Sequence, residues 1–426
     1  MIRLCFFVLL FSVFANAKEK EVNYLTDPEN RIHEFFAIPE YFEHNVNFWF
    51  AIYTKHSYYE VLLHDSERLD LVYNVVDFNS IYNSNLNKYA KENLKKKLER
   101  EKINEVKKIF KTLETKNFKK LNHREFQLVE TIRKAGFKIP VSQSKRKKLF
   151  KGLASNIRSQ SGQKDKIFKG IASSREYIHQ MHRFRELFKL PEEVLTIPFL
   201  ESSFNLKAHS KASAVGIWQF MEYTNNLVMP RKTSAIDYRK NPIISTLAAL
   251  QLLKENKLIL RTWDLAISAY NAGTRELVRA RQKYRKRKGL DLAYILQHYN
   301  HDSLGFAVKN FYSEFLALTH ALAYKENLYP VQEIKTVKKE KQIDIYVSKC
   351  RIRPATFFSK IKSSAYDIQE LNAHFLKPKK TYSRGSLIVS DVELTSRKYF
   401  KISDKDLVKL HPKKFYQLIR NKKCGS

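Results

Sequence analysis

The chain has 426 residues, of which 43% are hydrophobic and 13% aromatic, and this composition excludes a mostly disordered protein. It carries 78 Lys and Arg residues against 43 Asp and Glu residues, which gives a formal net charge of +35. Such a charge favours anionic polymers as partners, whether nucleic acid, acidic membrane surfaces or acidic cell-wall material, and does not select among them.

The first seventeen residues have the features of a secretory signal peptide. Arg3 supplies a positive charge, residues 4–14 are almost all apolar, and Ala15 and Ala17 are small residues where signal peptidase cleaves. The apolar run is shorter than the ~20 residues needed to span a bilayer, and no later run is longer. We therefore expect residues 1–17 to be removed, no transmembrane anchor, and a periplasmic or secreted protein that has no nucleic-acid partner.

Two segments precede the central part of the chain. Residues 18–85 are predicted to form a small α+β domain, because a polar cluster separates the aromatic and β-branched runs 58–63 and 69–73, which is typical of a β-hairpin. From about Leu86 the apolar residues recur at helical spacing among Lys and Glu. This pattern predicts a long amphipathic helix within a basic helical connector, residues 86–150.

Residues 151–330 are predicted to form one helical domain. Pro191 and Pro242 suit the first turns of helices, and Gly273 suits a helix C-terminus. Aromatic and aliphatic residues recur at helical intervals over residues 305–325, which predicts a further helix there.

Residues 331–426 are predicted to form a C-terminal domain of mixed structure. The pattern indicates strands at 343–347 and 386–389 and helices at 355–361 and 366–371. Residues 371–378 resemble the end of a degenerate LysM-type wall-binding module. Cys350 and Cys424 remain after cleavage of the signal peptide, and the sequence leaves open whether they form a disulfide or stay as thiols.

Glu201 is the candidate catalytic acid. Val194, Ile197 and Glu201 are spaced i, i+3 and i+7, so a helix would bring an apolar stripe up to the carboxylate. An apolar wall disfavours the charged form and raises the pKa, as a general acid requires. The spacing alone leaves open a solvated glutamate at a helix end.

Several polar and aromatic residues accompany Glu201. Ser210 and Gln219 can each form a hydrogen bond with a sugar, and Gly216 between them allows a tight turn back toward Glu201. Tyr270 and Asn271 place a phenol and an amide at a predicted helix end. Taken singly, residues of these types are more often structural than catalytic.

Together these segments resemble the soluble lytic transglycosylase family of goose-lysozyme-like enzymes that cleave peptidoglycan. Its motif Glu-Ser-x-Phe-Asn-x-x-Ala-x-Ser is complete from Glu201 to Ser210, and its Gly-hydrophobic-Trp/Met-Gln-hydrophobic-Met motif matches residues 216–221. Its Ala-Tyr-Asn-x-Gly motif matches residues 269–273. The resemblance covers about 155–325 and is nearest to the membrane-bound D-type subgroup.

This resemblance implies a mainly α, α+β protein with a lysozyme-like helical catalytic domain between small N- and C-terminal α/β regions. It also implies that Glu201 is both acid and base, and that peptidoglycan glycan strands are cut without water to leave 1,6-anhydromuramoyl ends. It implies no cofactor and no metal. The implied substrate-binding residues, which position the sugars or line the cleft, are Ser210, Gln219, Met221, Tyr270 and Asn271.

The sequence departs from the family at two places. Glu222 stands where the family usually has Pro after the second motif. Residues 307–309 read Ala-Val-Lys where many members have Glu-Thr-Arg, so a second glutamate of the cleft is expected to be missing. Apart from Glu222, no second acidic residue stands out in the matched motifs.

Three other functions stay open at this stage. A muramidase would hydrolyse the same bond with water, and a cell-wall-binding protein would use a similar cleft without catalysis. A nucleic-acid binder is suggested by charge alone. The pairs His179/His182 and His298/His301 have spacing compatible with a metal but lack the glutamate of a zinc-protease motif, so we read them as surface histidines.

Overall fold

A computed structural model describes residues 22–299, 301, 304–334, 341–361, 364–408 and 424. Helices dominate it, and two small antiparallel sheets accompany them, which confirms the predicted mainly α, α+β fold. Within these residues, no helix combines the length and the apolar character that crossing a membrane requires. The expected signal peptide, residues 1–17, lies outside the described residues.

The first sheet confirms the predicted hairpin and adds a third strand. Strands β1 (Glu60–Asp65) and β2 (Val72–Asp77) pair antiparallel, and β3 (Ile157–Ser161) pairs with the other edge of β1. The aromatic run before the hairpin is helical and belongs to α1 (Glu43–Thr54).

Four helices lie between β2 and β3. The long second one confirms the predicted amphipathic helix, and its buried residues Val106 and Phe110 pack against the sheet. The four are α2 (Asn79–Tyr82), α3 (Lys88–Leu113), α4 (His123–Lys134) and α5 (Gln143–Ser155).

Strand β1 separates two hydrophobic cores. Val61 and Leu63 face the core formed with α3, α4 and α5, whereas Leu62 between them belongs to the large core of the helical domain. This division follows from the strand's period of two, which sends alternate side chains to opposite faces.

Residues 164–328 are mostly helical. Pro242 begins the longest of these helices, and Gly273, at φ 85°, ends another as its C-cap. The predicted helix at 305–325 is observed and is buried along most of its length. The helices are α6 (Lys164–Ser174), α7 (Ile178–Phe188), α8 (Ile197–Ser202), α9 (Glu222–Val228), α10 (Pro242–Leu260), α11 (Trp263–Ala272), α12 (Thr274–Lys283), α13 (Leu292–His298), α14 (Phe306–Ala323) and α15 (Lys325–Leu328).

The C-terminal residues form the second sheet, in the order β5-β4-β6, and both predicted strands are present. A disulfide joins Cys350 to Cys424, with 4.9 Å between their Cα atoms. The elements are β4 (Asp344–Ser348), α16 (Pro354–Phe358), β5 (Leu387–Ser390), β6 (Tyr399–Lys401) and α17 (Asp404–Leu407).

The helix predicted at 366–371 is wrong, and the segment consists of turns. The side-chain amide of Asn372 donates to the carbonyl of Ile368, 2.8 Å away, and to the carbonyl of Val389 at 2.7 Å. The first of these carbonyls is the acceptor that a continuing helix would offer to the backbone N–H of Asn372. The side-chain amide of Asn372 therefore takes the carbonyl of Ile368 that a helical backbone hydrogen bond would use, and it also connects the segment to β5.

Gly170 provides a test of how α6 supports α8. A Cβ atom at Gly170 would lie 2.5 Å from the carbonyl oxygen of Ser203, directly after α8, whereas a Cβ atom at Gly152 in α5 meets nothing within 4 Å. We expect Gly170→Ala to lower the free energy of unfolding by about 1–3 kcal/mol through overpacking. Gly152→Ala should raise it by about 0.5–1 kcal/mol, because alanine loses less backbone entropy in a helix. Denaturant unfolding of both variants checks this, and equal effects would contradict it.

Candidate active site

Glu201 lies near the end of the short helix α8. The same helix buries Ile197 and Phe199 in the large core. The two residues that follow the helix, Ser203 and Phe204, have φ values of 49° and 54°, in the left-handed region that non-glycine residues rarely occupy. The chain thus reverses immediately after Glu201, and such strain is typical of functional sites.

The carboxyl group of Glu201 is partly withdrawn from water. Burial, followed by the negative charge of Glu314, raises its pKa to about 8. Within the described residues the carboxylate of Glu201 forms no hydrogen bond that would stabilise its ionised form. A carboxyl in these surroundings keeps its proton at neutral pH, so it can serve as a general acid.

Two serines shape the chain around Glu201. Ser202 donates from Oγ to the carbonyl of Ile217 at 3.0 Å, which ties α8 to the second motif. Ser210 accepts the backbone N–H of Ala214 at 2.9 Å and so closes a turn between the motifs. Its hydroxyl proton can still be donated to a ligand.

The second motif is built on two residues with positive φ. Gly216 has φ 77°, and a Cβ atom there would lie 2.0 Å from the carbonyl oxygen of Arg239, so the position requires glycine. Gln219 has φ 47° and donates from Nε2 to the carbonyl of Gly216 at 2.8 Å, while its side chain stays partly exposed.

Tyr270 joins this loop to α11 beside Glu201. Its hydroxyl donates to the carbonyl of Trp218 at 2.7 Å, and the indole of Trp218 is buried and donates to Thr246 at 2.9 Å. Burial raises the pKa of Tyr270 well above its usual range, and the charge of Glu201 adds to the effect. Tyr270 therefore stays a neutral phenol.

The structure brings some of the predicted site residues together more closely than others. Gln219 and Tyr270 are linked through the Trp218 backbone, and Tyr270 interacts electrostatically with Glu201. Met221 is 43% exposed at the end of the second motif. Asn271 is exposed at the end of α11, and none of the hydrogen bonds among the described residues connects it to Glu201.

The second acidic residue near Glu201 is Glu314, which the sequence analysis missed. Glu222, the acidic residue that stood out in the motifs, is exposed and pairs with Lys232 at 2.7 Å. Glu314 lies in α14, and burial raises its pKa to about 7, although a hydrogen bond from Tyr53 opposes the rise. One feature of the sequence could have identified Glu314: it is the only acidic residue in α14, which is otherwise mostly apolar.

A buried arginine holds the second motif in place. Arg239 donates from Nη1 to the carbonyls of Ser213 and Phe220 at 3.0 and 3.1 Å, one on each side of Gly216. The same guanidinium pairs with Asp237 at 2.8 Å, and both side chains are only 3% exposed. Its charge is therefore paired and its donors are used on the loop that carries Gln219.

The C-terminal region holds the segment that contains Arg239. The backbone N–H of Asp237 donates to the carbonyl of His374, and that of Leu376 donates to the carbonyl of Ala235. The side chain of Asn241, the N-cap of α10, donates to the carbonyl of Leu371 and contacts Nδ1 of His374 at 2.9 Å. The stretch that resembles the end of a LysM-type module thus faces the helical domain.

His374 is neutral in this contact. Its burial lowers its pKa to about 4. Its Nε2 lies 3.0 Å from the carbonyl of Leu387, which only accepts, so Nε2 carries the proton. Nδ1 is then the acceptor for the Asn241 amide.

The histidines singled out by their spacing lie beside carboxylates or carbonyls. His182 is 3.9 Å from Glu192, His301 is 3.4 Å from Glu276, and His298 contacts the carbonyl of Tyr294. In the part of the chain that the structure describes, no group of three or more His, Cys, Asp or Glu side chains is arranged to hold a metal ion.

Comparisons with known proteins agree with the motifs. The family profile described as Transglycosylase SLT domain matches residues 188–292, which include Glu201 and Tyr270 but not Tyr53 or Glu314. Membrane-bound lytic murein transglycosylase D of Escherichia coli (strain K12) is 35% identical over 92 residues, which are 21% of this chain and 20% of that protein. The protein of the same name from Escherichia coli O6:H1 gives the same figures.

A third relative carries a different name. A putative tributyltin chloride resistance protein of Alteromonas sp. (strain M-1) is 31% identical over 110 residues, which are 26% of this chain and 53% of that protein. The chain therefore spans about a fifth of the length of the two transglycosylases and about half of the third relative.

Replacing Arg239 tests whether it holds the second motif. Arg239→Lys keeps the charge but cannot reproduce the forked contacts to Asp237 and two carbonyls, so we expect lower thermal stability and a fall in cell-wall lysis. Arg231→Lys is the matched control, since Arg231 is exposed in the same connecting segment. Thermal unfolding and lysis assays on both variants check this, and an Arg239 variant indistinguishable from the control would contradict it.

Proposed function

We propose that this chain, which belongs through residues 188–292 to the soluble lytic transglycosylase family, cleaves the β-1,4 bond between N-acetylmuramic acid and N-acetylglucosamine in peptidoglycan without water. The observation that carries the proposal is the carboxyl of Glu201, which is withdrawn from water, has a raised pKa, and lies within the family's motifs. The murein named in the description of the Escherichia coli relatives supports the substrate class.

In the proposed reaction, Glu201 serves first as acid and then as base. Its carboxyl gives a proton to the bridging oxygen, the bond from that oxygen to the muramoyl C1 breaks, and the electron pair leaves with the oxygen. The C6 hydroxyl oxygen of the same muramoyl residue attacks C1 and passes its proton to the Glu201 carboxylate. The product carries a 1,6-anhydro ring, and the enzyme returns to its starting protonation state.

The other site residues are proposed to position the sugars. Ser210 and Gln219 offer a hydroxyl and an amide from the loop that faces Glu201, and Asn271 offers an exposed amide. Tyr270 presents a neutral phenol oxygen near the reacting carboxyl. The proton of this phenol is already donated to the carbonyl of Trp218. Met221 supplies an exposed apolar surface for a sugar ring.

Hydrolysis of the same bond is the second candidate function, and Glu314 is the observation that favours it. Enzymes that hydrolyse glycosides with water generally use two carboxylates, one as acid and the other as base or nucleophile. A second carboxylate close enough to affect the pKa of Glu201 provides the required pair. The two functions differ in the product, because the anhydro product contains one water fewer than the hydrolysed one.

We place the reaction outside the cytoplasmic membrane, in the periplasm or in the medium. The pattern of residues 1–17 supports export, and the glycan substrate is found in the cell wall. The net charge of +35 would strengthen attachment to anionic wall material.

Glu201→Gln tests the proposed acid. Glutamine keeps the size of the side chain but has no proton to donate, so lysis of purified peptidoglycan should fall about 100-fold or more while folding is preserved. Glu222→Gln is the matched control, because that residue is exposed and its one ion pair among the described residues is with Lys232 at the surface.

Mass spectrometry of the released fragments provides the second readout. We expect anhydromuramoyl ends from the wild type and from the Glu222 variant. Near-normal lysis by a folded Glu201→Gln variant would remove Glu201 from the mechanism, and fragments that carry the added water would establish hydrolysis instead.

A further inference from the structure

Glu314 is held against α1 by a series of polar contacts. Asn310 of α14 accepts hydrogen bonds from Asn45 at 3.3 Å and from the Trp49 indole at 3.4 Å. One turn further along both helices, the hydroxyl of Tyr53 donates to Oε2 of Glu314 at 3.2 Å. Since residues four apart lie on the same face of a helix, these contacts fix the alignment of α1 against α14.

Tyr53 is itself fixed in place. Its side chain is 2% exposed, and its backbone carbonyl accepts the hydroxyl of the buried Tyr329 at 2.9 Å. Within this buried setting the hydroxyl of Tyr53 has Glu314 as its acceptor among the described residues. A hydrogen bond from a neutral phenol stabilises an ionised carboxylate.

Glu201 lies close to Glu314 but has different surroundings. Helix α8 packs on α14, and of the charged groups in the described residues only Glu314 affects the pKa of Glu201. Glu201 itself receives no hydrogen bond, as described above. The titratable groups that face this pair are therefore Tyr53 from α1 and Tyr270 from α11, and neither is a cation.

We propose that Glu314 is a positioning residue of the catalytic site, whose negative charge, stabilised by Tyr53, keeps the proton on Glu201. Two carboxylates that share a desolvated site resist ionising together, so the one with a hydrogen-bond donor loses its proton first. This assignment rests on the proposed function, because it matters only if Glu201 is the acid. It also makes α1, which lies outside the family match, a part of the site.

The pH dependence of lysis tests the assignment. A general acid must be protonated, so the rate falls as the pH rises through the pKa of Glu201. Glu314→Gln removes the negative charge that raises this pKa, and the descending alkaline limb should move to lower pH by about one unit. Tyr53→Phe removes the hydrogen-bond donor to Glu314. Glu314 then binds the shared proton more tightly and competes with Glu201 for it, so the alkaline limb should also move to lower pH, by a smaller amount.

Two control variants separate charge from packing. Glu326→Gln removes one negative charge from the neighbouring helix α15, at a residue that does not affect the pKa of Glu201. Tyr73→Phe removes another buried phenol that donates to a carboxylate, Asp65 at 3.0 Å, in the other hydrophobic core. Both control variants should have the same alkaline limb of the pH–rate profile as the wild type.

The outcomes distinguish the two proposals. A folded Glu314→Gln variant with an unchanged limb, whatever its rate, would overturn the role of Glu314. If that variant does not fold, a Tyr53→Phe variant with an unchanged limb would overturn it as well. A change in product, from hydrolysed to anhydro ends, on replacing Glu314 would assign it instead as the base that activates water. Failure of the proposed function itself would be seen separately, as a Glu201→Gln variant that retains lysis.

Discussion

The partial withdrawal of the Glu201 carboxyl from water is the constraint on which the rest of the site depends. A carboxyl in water is ionised at neutral pH, so a glutamate can donate a proton there only if its charged form is disfavoured. The fold achieves this by ending α8 one residue after Glu201, by packing α8 against α14, and by leaving the carboxyl without a hydrogen-bond donor in the described residues. The strained backbone after α8 and the carboxyl without a donor are costs to stability, which the burial of Ile197 and Phe199 in the large core offsets.

The second motif has an irregular backbone, so side chains must satisfy backbone groups that a helix would pair internally. Two of its residues have positive φ, and the side chains of Ser202, Tyr270 and Arg239 donate to its carbonyls in addition to its few backbone hydrogen bonds. Arg239 is in turn fixed by a segment that the C-terminal region holds through His374 and Leu376. The C-terminal region therefore contributes to the shape of the cleft through a chain of buried contacts, whatever else it binds.

The sequence predicted the parts of the structure that depend on local patterns. The hairpin, the helix α3, the proline at the start of α10 and the C-cap at Gly273 each follow from residues close together in the chain. The motifs likewise placed Glu201 and Tyr270 in one site, because the family resemblance carries tertiary information that periodicity does not. The failed helix at 366–371 shows the limit, since the Asn372 side chain bonds both to Ile368 within the segment and to Val389 of β5, which is distant in the sequence.

Glu314 and Tyr53 could not be found in this way for a physical reason. Neither belongs to a motif, and their relation to Glu201 exists only because α1 and α8 pack on the same helix, α14. The departure from the family at residues 307–309 indicated the loss of a glutamate from the start of this helix, yet a carboxylate is present two turns later, at Glu314. The site is thus completed by α1 and α14, which lie on either side of the matched residues 188–292 in the sequence. A segment limited to residues 188–292 would keep Glu201, the proposed acid. It would lose the charge of Glu314 and the phenol of Tyr53, which are proposed to control the protonation of Glu201.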